Sequence, residues 1–169
     1  MIRKVNDTDD LNSLSHIYEE SWKSAYKGII PQDYLDYLPK GKWVKNLSAE
    51  GRHSLVMIED NQMIGTSSYG SSRISRLHEY GEIISIYILP DYIGKGYGRQ
   101  LLQETIMCLK EEGYHDLYLW VLEENHHARK FYEDAGFIQS DDVIEDVIGG
   151  KVVYEVRYQY HIDGGNDVR

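Results

Sequence analysis

The sequence predicts an α/β protein built on one mixed sheet, and three observations predict it. Apolar segments of strand length alternate with segments of helical periodicity in the order strand, helices, three strands, helix, strand, helix, two strands. The stretch from Ile83 to Tyr132 reads as strand, glycine-rich turn, helix, strand and helix, a crossover unit whose two strands run parallel. Two further pairs of strands are joined by short polar or glycine turns, which makes each of them an antiparallel hairpin. At 169 residues the chain has length for one well-buried core, so residues 1–162 are read as a single domain and 163–169 as a disordered tail.

Ile2 to Val5 forms a short first strand, and Asn6 to Asp10 supplies helix-capping side chains. From Leu11 the apolar positions Leu14, Ile17, Tyr18 and Trp22 recur at helical spacing until about Tyr26, and Gly28 ends the helix. Pro31 opens a short helix from Gln32 to Leu38, followed by a further turn or two around Trp43, Val44 and Leu47. This segment is unusually aromatic, with Tyr18, Trp22, Tyr26, Tyr34, Tyr37 and Trp43. These rings either pack on the core or line a pocket in which they attract an amine. Ser54–Ile58 and Met63–Tyr69 make a hairpin, and Gly70 to His78 reads as a polar, mobile loop.

Ile83 to Leu89 is the central strand, and after the glycine turn a helix starts at Arg99 and stops at Gly113. Leu117–Leu122 is a nearly continuous apolar strand, as expected where both faces are covered. Asn125 caps a last helix that Gly136 terminates, and Phe137–Ile138, Val143–Ile148 and Lys151–Ile162 are strands, the last two joined by Gly149-Gly150.

The net charge of −10 argues against nucleic acid as a partner and suits a cationic substrate. No apolar run reaches the ~20 residues that span a bilayer and no signal peptide is legible, so the expectation is a cytoplasmic protein without a membrane partner. The lone Cys108, in a helical pattern beside Met107, is read as a structural thiol, and neither cysteine spacing nor the adjacent His126-His127 suits a metal, so no metal is expected.

Chemistry concentrates in Ile93-Gly94-Lys95-Gly96-Tyr97-Gly98. A strand feeding a glycine-rich turn and a helix N-terminus offers free N–H groups backed by the helix dipole, and Arg99 adds a positive charge, so the turn is suited to phosphate. A dinucleotide-binding turn is the nearest rival, but Leu101 stands where its third glycine would be and there is only one crossover unit.

With Asn125-His126-His127-Ala128-Arg129-Lys130-Phe131-Tyr132 and Gly136-Phe137 following in order, the chain resembles the GNAT superfamily of acetyl-CoA-dependent N-acetyltransferases along its length to about Ile162. The resemblance implies a central, mostly antiparallel sheet flanked by helices, with acetyl-CoA as donor cosubstrate. It assigns the pyrophosphate to Ile93, Gly94, Lys95, Gly96, Tyr97, Gly98 and Arg99, the pantetheine to the backbone of Ile86, Tyr87 and Ile88 and to Asn125, and Arg129 of the same motif to the coenzyme. Ile93 departs from the family pattern, which has Gln or Arg there; the backbone contacts would remain.

By the same resemblance Tyr132 protonates the leaving thiolate. Glu82, at the start of the central strand, is either the base, often acting through water, or a solvated residue. Trp22, Tyr26 and Tyr87 are expected on the acceptor side. The implied activity is acetyl transfer to a primary amine of a small cationic acceptor, with a peptide or protein N-terminus as an alternative. A degenerate fold serving as an acyl-CoA sensor or regulatory protein is the non-enzymatic alternative. Members of the superfamily are often dimers, so a homodimer is compatible with the resemblance.

Overall fold

The computed structural model describes residues 1–162; the tail expected at 163–169 lies outside the described residues. The elements are β1 (Ile2–Lys4), α1 (Leu11–Ala25), α2 (Gln32–Asp36), α3 (Val44–Leu47), β2 (Arg52–Glu59), β3 (Gln62–Ser71), β4 (Gly81–Ile88), α4 (Tyr97–Glu111), β5 (Asp116–Leu122), α5 (His126–Asp134), β6 (Ile138–Ile148) and β7 (Lys151–His161). They form a seven-stranded sheet in the order β1-β2-β3-β4-β5-β7-β6. Every neighbouring pair is antiparallel except β4 and β5, the two strands joined through α4.

That parallel pair is short. Only Gly81 with Leu117 and Glu82 with Tyr118 are in register, after which the two strands separate. A bulge contributes to the separation: Ser68 pairs with Ser85 but Tyr69 with Ile83, leaving Ile84 as an extra residue in β4. An unpaired residue of this kind bends the strand and increases its twist. From Ile83 onward β4 is paired on one side, with β3, and its other edge faces the gap.

The two faces of the sheet are covered differently. On one face α4 and α5 pack through Leu101, Leu102, Leu109, Phe131 and Tyr132 onto Ile83, Ile88, Leu119, Val121 and Tyr158. On the other, α1 covers Val56 through Leu14, Ile17 and Tyr18, and α2 with its flanks covers Leu122 and Val153 through Ile30, Leu35 and Leu38. Asp10 caps α1, its carboxylate accepting from the Asn12 N–H at 3.0 Å.

Several boundaries differ from the sequence expectation. α4 begins at Tyr97, because Gly96 completes the turn in the left-handed region at φ +87° and the chain enters the helix at once. α2 stops at Asp36 instead of Leu38. The separate strands expected at Phe137–Ile138 and Val143–Ile148 are one strand, β6, with an irregularity between Gln139 and Val143. There Asp142 is held by Arg157 at 2.7 Å and Arg76 at 2.9 Å. The loop after β3 contains a 3-10 turn at Ser75–Leu77 and is tied down by Arg73 and Ser72, described below.

Candidate active site

The glycine turn is a cradle of unused donors. The Gln100 N–H bonds back to the Gly96 carbonyl, but the N–H groups of Gly94 through Arg99 find no partner within the described chain, and Gly96 provides no side-chain cap. Gly94 and Gly96 both have positive φ, and a Cβ on either would project into open space. A concave row of free donors at the N-terminus of a fifteen-residue helix suits a pyrophosphate. Arg99 is exposed beside it, and Lys95 Nζ lies 5.4 Å from the ring centre of Tyr92. Ile93, where a polar side chain was expected from the family pattern, is 49% exposed and adds no polar contact. At Gly98 an added Cβ would meet the Phe131 ring of α5 at 3.5 Å, an ordinary packing contact.

The unpaired edge of β4 continues from this cradle, so Ile86, Tyr87 and Ile88 present backbone groups into the gap toward β5. The Ile88 carbonyl also accepts from Ser21 Oγ of α1 at 3.2 Å. An extended ligand with amide groups can occupy this edge as a further strand. The residues present thus fit both the phosphate end and the pantetheine arm of coenzyme A.

Tyr87 is the hub of the other wall. Its hydroxyl accepts from Trp22 Nε1 at 3.1 Å, and the Tyr26 phenol is among the groups that act on its charge. Its ring lies 4.7 Å from Tyr18, and Trp22 in turn packs edge-on to Tyr26 at 4.8 Å and against Trp43 at 5.1 Å. Burial pushes the Tyr87 phenol up to about 12 and Tyr26 well above its ordinary value. The three residues expected on the acceptor side therefore come together, and Tyr18 and Trp43 complete the aromatic wall.

Tyr132 approaches from α5. Asn125 Oδ1 caps that helix by accepting from the Ala128 N–H at 3.2 Å. The Tyr132 ring is fixed between Phe131 at 5.2 Å and Phe137 at 5.7 Å. Desolvation raises the pKa of its phenol strongly, with the Tyr87 phenol as the second cause, so it stays protonated at neutral pH. Arg129 is directed elsewhere: Nε donates to Tyr158 Oη at 3.1 Å, NH1 to the Glu123 carbonyl at 2.9 Å and NH2 to Gln139 at 3.0 Å. It pins α5 to the sheet with three of its five N–H donors.

Glu82 is not a solvated residue. It is buried, its carboxylate accepting from the Arg73 N–H at 3.2 Å, Arg73 Nε at 3.0 Å, Arg73 NH2 at 2.6 Å and Tyr118 Oη at 2.9 Å. Tyr118 is also hydrogen-bonded with Ser72 at 2.8 Å. A carboxylate holding four donors has little capacity left to accept a proton from a ligand, and its evident work is to fasten the 71–80 loop. Neither Arg73 nor Tyr118 stands out in the sequence.

Glu155 was not foreseen either. It lies on β7 opposite Leu122, half-buried on the face covered by α1 and α2. Its carboxyl is raised above the ordinary range by burial first, then by Asp146 and Glu82, against the lowering effect of Arg73. The only sequence signal was strand alternation, which sets Glu155 on the face opposite Val156 and Tyr158 without saying what covers that face.

Among the described residues no group of three or more His, Cys, Asp or Glu side chains could hold a metal ion, and no helix is long and apolar enough to cross a membrane. Residues 11–137 match the model of the acetyltransferase (GNAT) family. The N-acetyltransferase YuaI of Bacillus subtilis is 31% identical over 121 residues, 69% of each chain. A spermidine N(1)-acetyltransferase of Thermoplasma acidophilum is 26% identical over 162 residues, 94% of this chain and 97% of that one. The crystal structure of the PaiA N-acetyltransferase of T. acidophilum in complex with coenzyme A superposes with a TM-score of 0.71 at 24% identity, covering 95% of this chain and 98% of that one; at such identity the likeness is one of fold.

Proposed function

Because the chain belongs to the acetyltransferase (GNAT) family, and is thereby an acetyl-CoA-dependent N-acetyltransferase, we propose that it acetylates a primary amine of a small cationic acceptor by direct transfer. Acetyl-CoA supplies the acyl thioester. The N–H groups of Gly94 to Arg99, with the Arg99 guanidinium, hold the pyrophosphate, and the Ile86–Ile88 edge aligns the pantetheine by strand-like pairing. An N–H of that edge stabilises the oxyanion that develops when the amine attacks. Asn125, beyond capping α5, meets the pantetheine.

The observation that carries this proposal is Tyr132, whose ring is held between Phe131 and Phe137 and whose phenol is kept protonated by desolvation and by the Tyr87 phenol. It gives its proton to the departing thiolate. For the acceptor, Trp22, Tyr26 and Tyr87 offer ring faces to an ammonium, and the chain's charge of −10 favours cations. The relative that matches nearly the whole chain is named for spermidine.

A panel of spermidine, an aminoglycoside, free amino acids and a short peptide, read by thiol release, tests it. Fastest turnover is expected on the polycations. Preference for the peptide would shift the acceptor to protein N-termini, and coenzyme binding without turnover on any amine would leave a sensor.

A further inference from the structure

We infer that Glu155, and not Glu82, is the carboxylate that receives the acceptor's ammonium group and removes its proton. This rests on the acetyl transfer proposed above and assigns one of its steps.

The geometry is that of β7. Val153, Glu155 and Arg157 share one face of the strand. Val153 packs with Leu122, Ile30, Leu35 and Leu38, against which Trp22 and Tyr26 also lie. Arg157 lies over the Tyr118 ring, 5.9 Å from its centre, at the Glu82 end. Glu155 falls between these two points, beside Leu122, where β5 has already parted from β4. Its charge is felt by Tyr26 and Tyr87 of the acceptor wall as well as by Arg73.

The cations and donors around it are spent on other groups. Arg157 is committed to Asp142 at 2.7 Å and Gln159 at 3.3 Å, and Arg73 to Glu82. Among the described residues no side chain donates a hydrogen bond to Glu155 or forms an ion pair with it. The titratable and charged groups that bear on its charge are Glu82 and Tyr87 from β4, Tyr26 from the end of α1, Arg73 from the β3–β4 loop and Asp146 from β6. A half-buried carboxylate with no hydrogen bond or ion pair of its own among the described residues, on the strand face that continues into the cluster holding Trp22 and Tyr26, is a receptor for an ammonium ion.

The step balances as follows. The acceptor arrives as R–NH3+, with a pKa near 10.4 if lysine-like. Glu155 takes one proton and becomes the neutral acid, leaving R–NH2. Desolvation lowers the ammonium's pKa and raises the carboxyl's, so the two approach one another. The nitrogen lone pair forms the C–N bond to the thioester carbon, the C–S bond breaks, and the thiolate takes the Tyr132 proton. The second proton on nitrogen restores Tyr132, and Glu155 releases its own to water.

The test is the pH dependence of kcat/KM for wild type and Glu155→Gln on the best amine of the panel, with coenzyme A affinity measured on both. The wild type should be flat from just above the raised carboxyl pKa to the amine's own pKa. The variant should bind coenzyme A as the wild type does, lose on the order of a hundredfold near pH 7, and regain activity about tenfold per pH unit as the free amine accumulates. A variant with the wild-type plateau, or one depressed equally at every pH, overturns the assignment and leaves acetyl transfer standing. A wild type that binds coenzyme A and acetylates no amine overturns both.

Discussion

Tyr132 and Tyr87 are both half-buried phenols with raised pKa values, yet only one has a hydroxyl without a partner among the described residues. The Tyr87 hydroxyl is engaged by Trp22 Nε1, whereas no hydrogen bond to the Tyr132 hydroxyl is made among the described residues. Tyr132→Phe should therefore lower kcat by about a hundredfold and leave coenzyme affinity unchanged; unaltered single-turnover rates would remove Tyr132 from the chemistry. Glu82 behaves as a fixed anchor, so Glu82→Gln should cost about 2 kcal/mol in denaturant unfolding, the scale of hydrogen bonds to a charged group. The same variant should keep the wild-type shape of the pH–rate profile, a second line dividing its role from that of Glu155. At this scale the sequence was an uneven guide. The packing of Trp22 and Tyr26 with Tyr87 was foreshadowed by the aromatic cluster of the first fifty residues, and Tyr132 was marked by its motif. The solvated reading of Glu82 failed because its burial depends on Arg73, nine residues earlier in a loop, and on Tyr118, from a strand thirty-six residues later. The structural bonds of Arg129 were not legible because its partners Tyr158 and Gln139 come from the last two strands.

The strand–turn–helix element was the most legible part of the chain, since glycine at a left-handed position and a helix N-terminus are local matters. Gly96 has φ +87° and no atom within 4 Å of where its Cβ would be, so the cost of Gly96→Ala is in the backbone: about 1–2 kcal/mol for a left-handed alanine. A methyl group there also projects into the space where phosphate oxygens must approach the N–H row. Coenzyme A affinity, measured by calorimetry, should fall at least tenfold, about 1.4 kcal/mol, while acceptor KM at saturating acetyl-CoA stays the same. Retained affinity would mean that the pyrophosphate does not use this turn. What the element does not announce is the bulge at Ile84 and the early parting of β4 from β5, because strand divergence is set by pairings with β3 and β7 that lie outside the motif.

Across the whole molecule, the donor and acceptor walls are built by different parts of the chain, and they should be separable by mutation. The donor wall is continuous in sequence, from β4 through α5. The acceptor wall joins the first fifty residues to the last hairpin: Lys151 Nζ donates to the Ile29 carbonyl at 2.6 Å and pairs with Glu124 at 3.2 Å, and the β6–β7 turn rests on Tyr34 of α2. Gly149 makes that docking feasible. It has φ +60°, and a Cβ would lie 2.8 Å from Tyr34 Cβ, closer than two carbons approach without displacement. Gly149→Ala adds backbone strain of about 1 kcal/mol to this clash, so the turn must lift away from α2. Because Val153 and Glu155 follow on the same strand, lifting the turn loosens the wall that would hold the acceptor while β4, α4 and the glycine cradle stay as they are. Acceptor KM should rise severalfold with coenzyme affinity unchanged. Removing the neighbour's Cβ as well, in Gly149→Ala/Tyr34→Gly, should return part of the lost KM by removing the clash and leaving only the backbone strain. If coenzyme affinity fell together with acceptor KM, the two walls would be one cooperative unit and the division of labour drawn from the topology would be wrong.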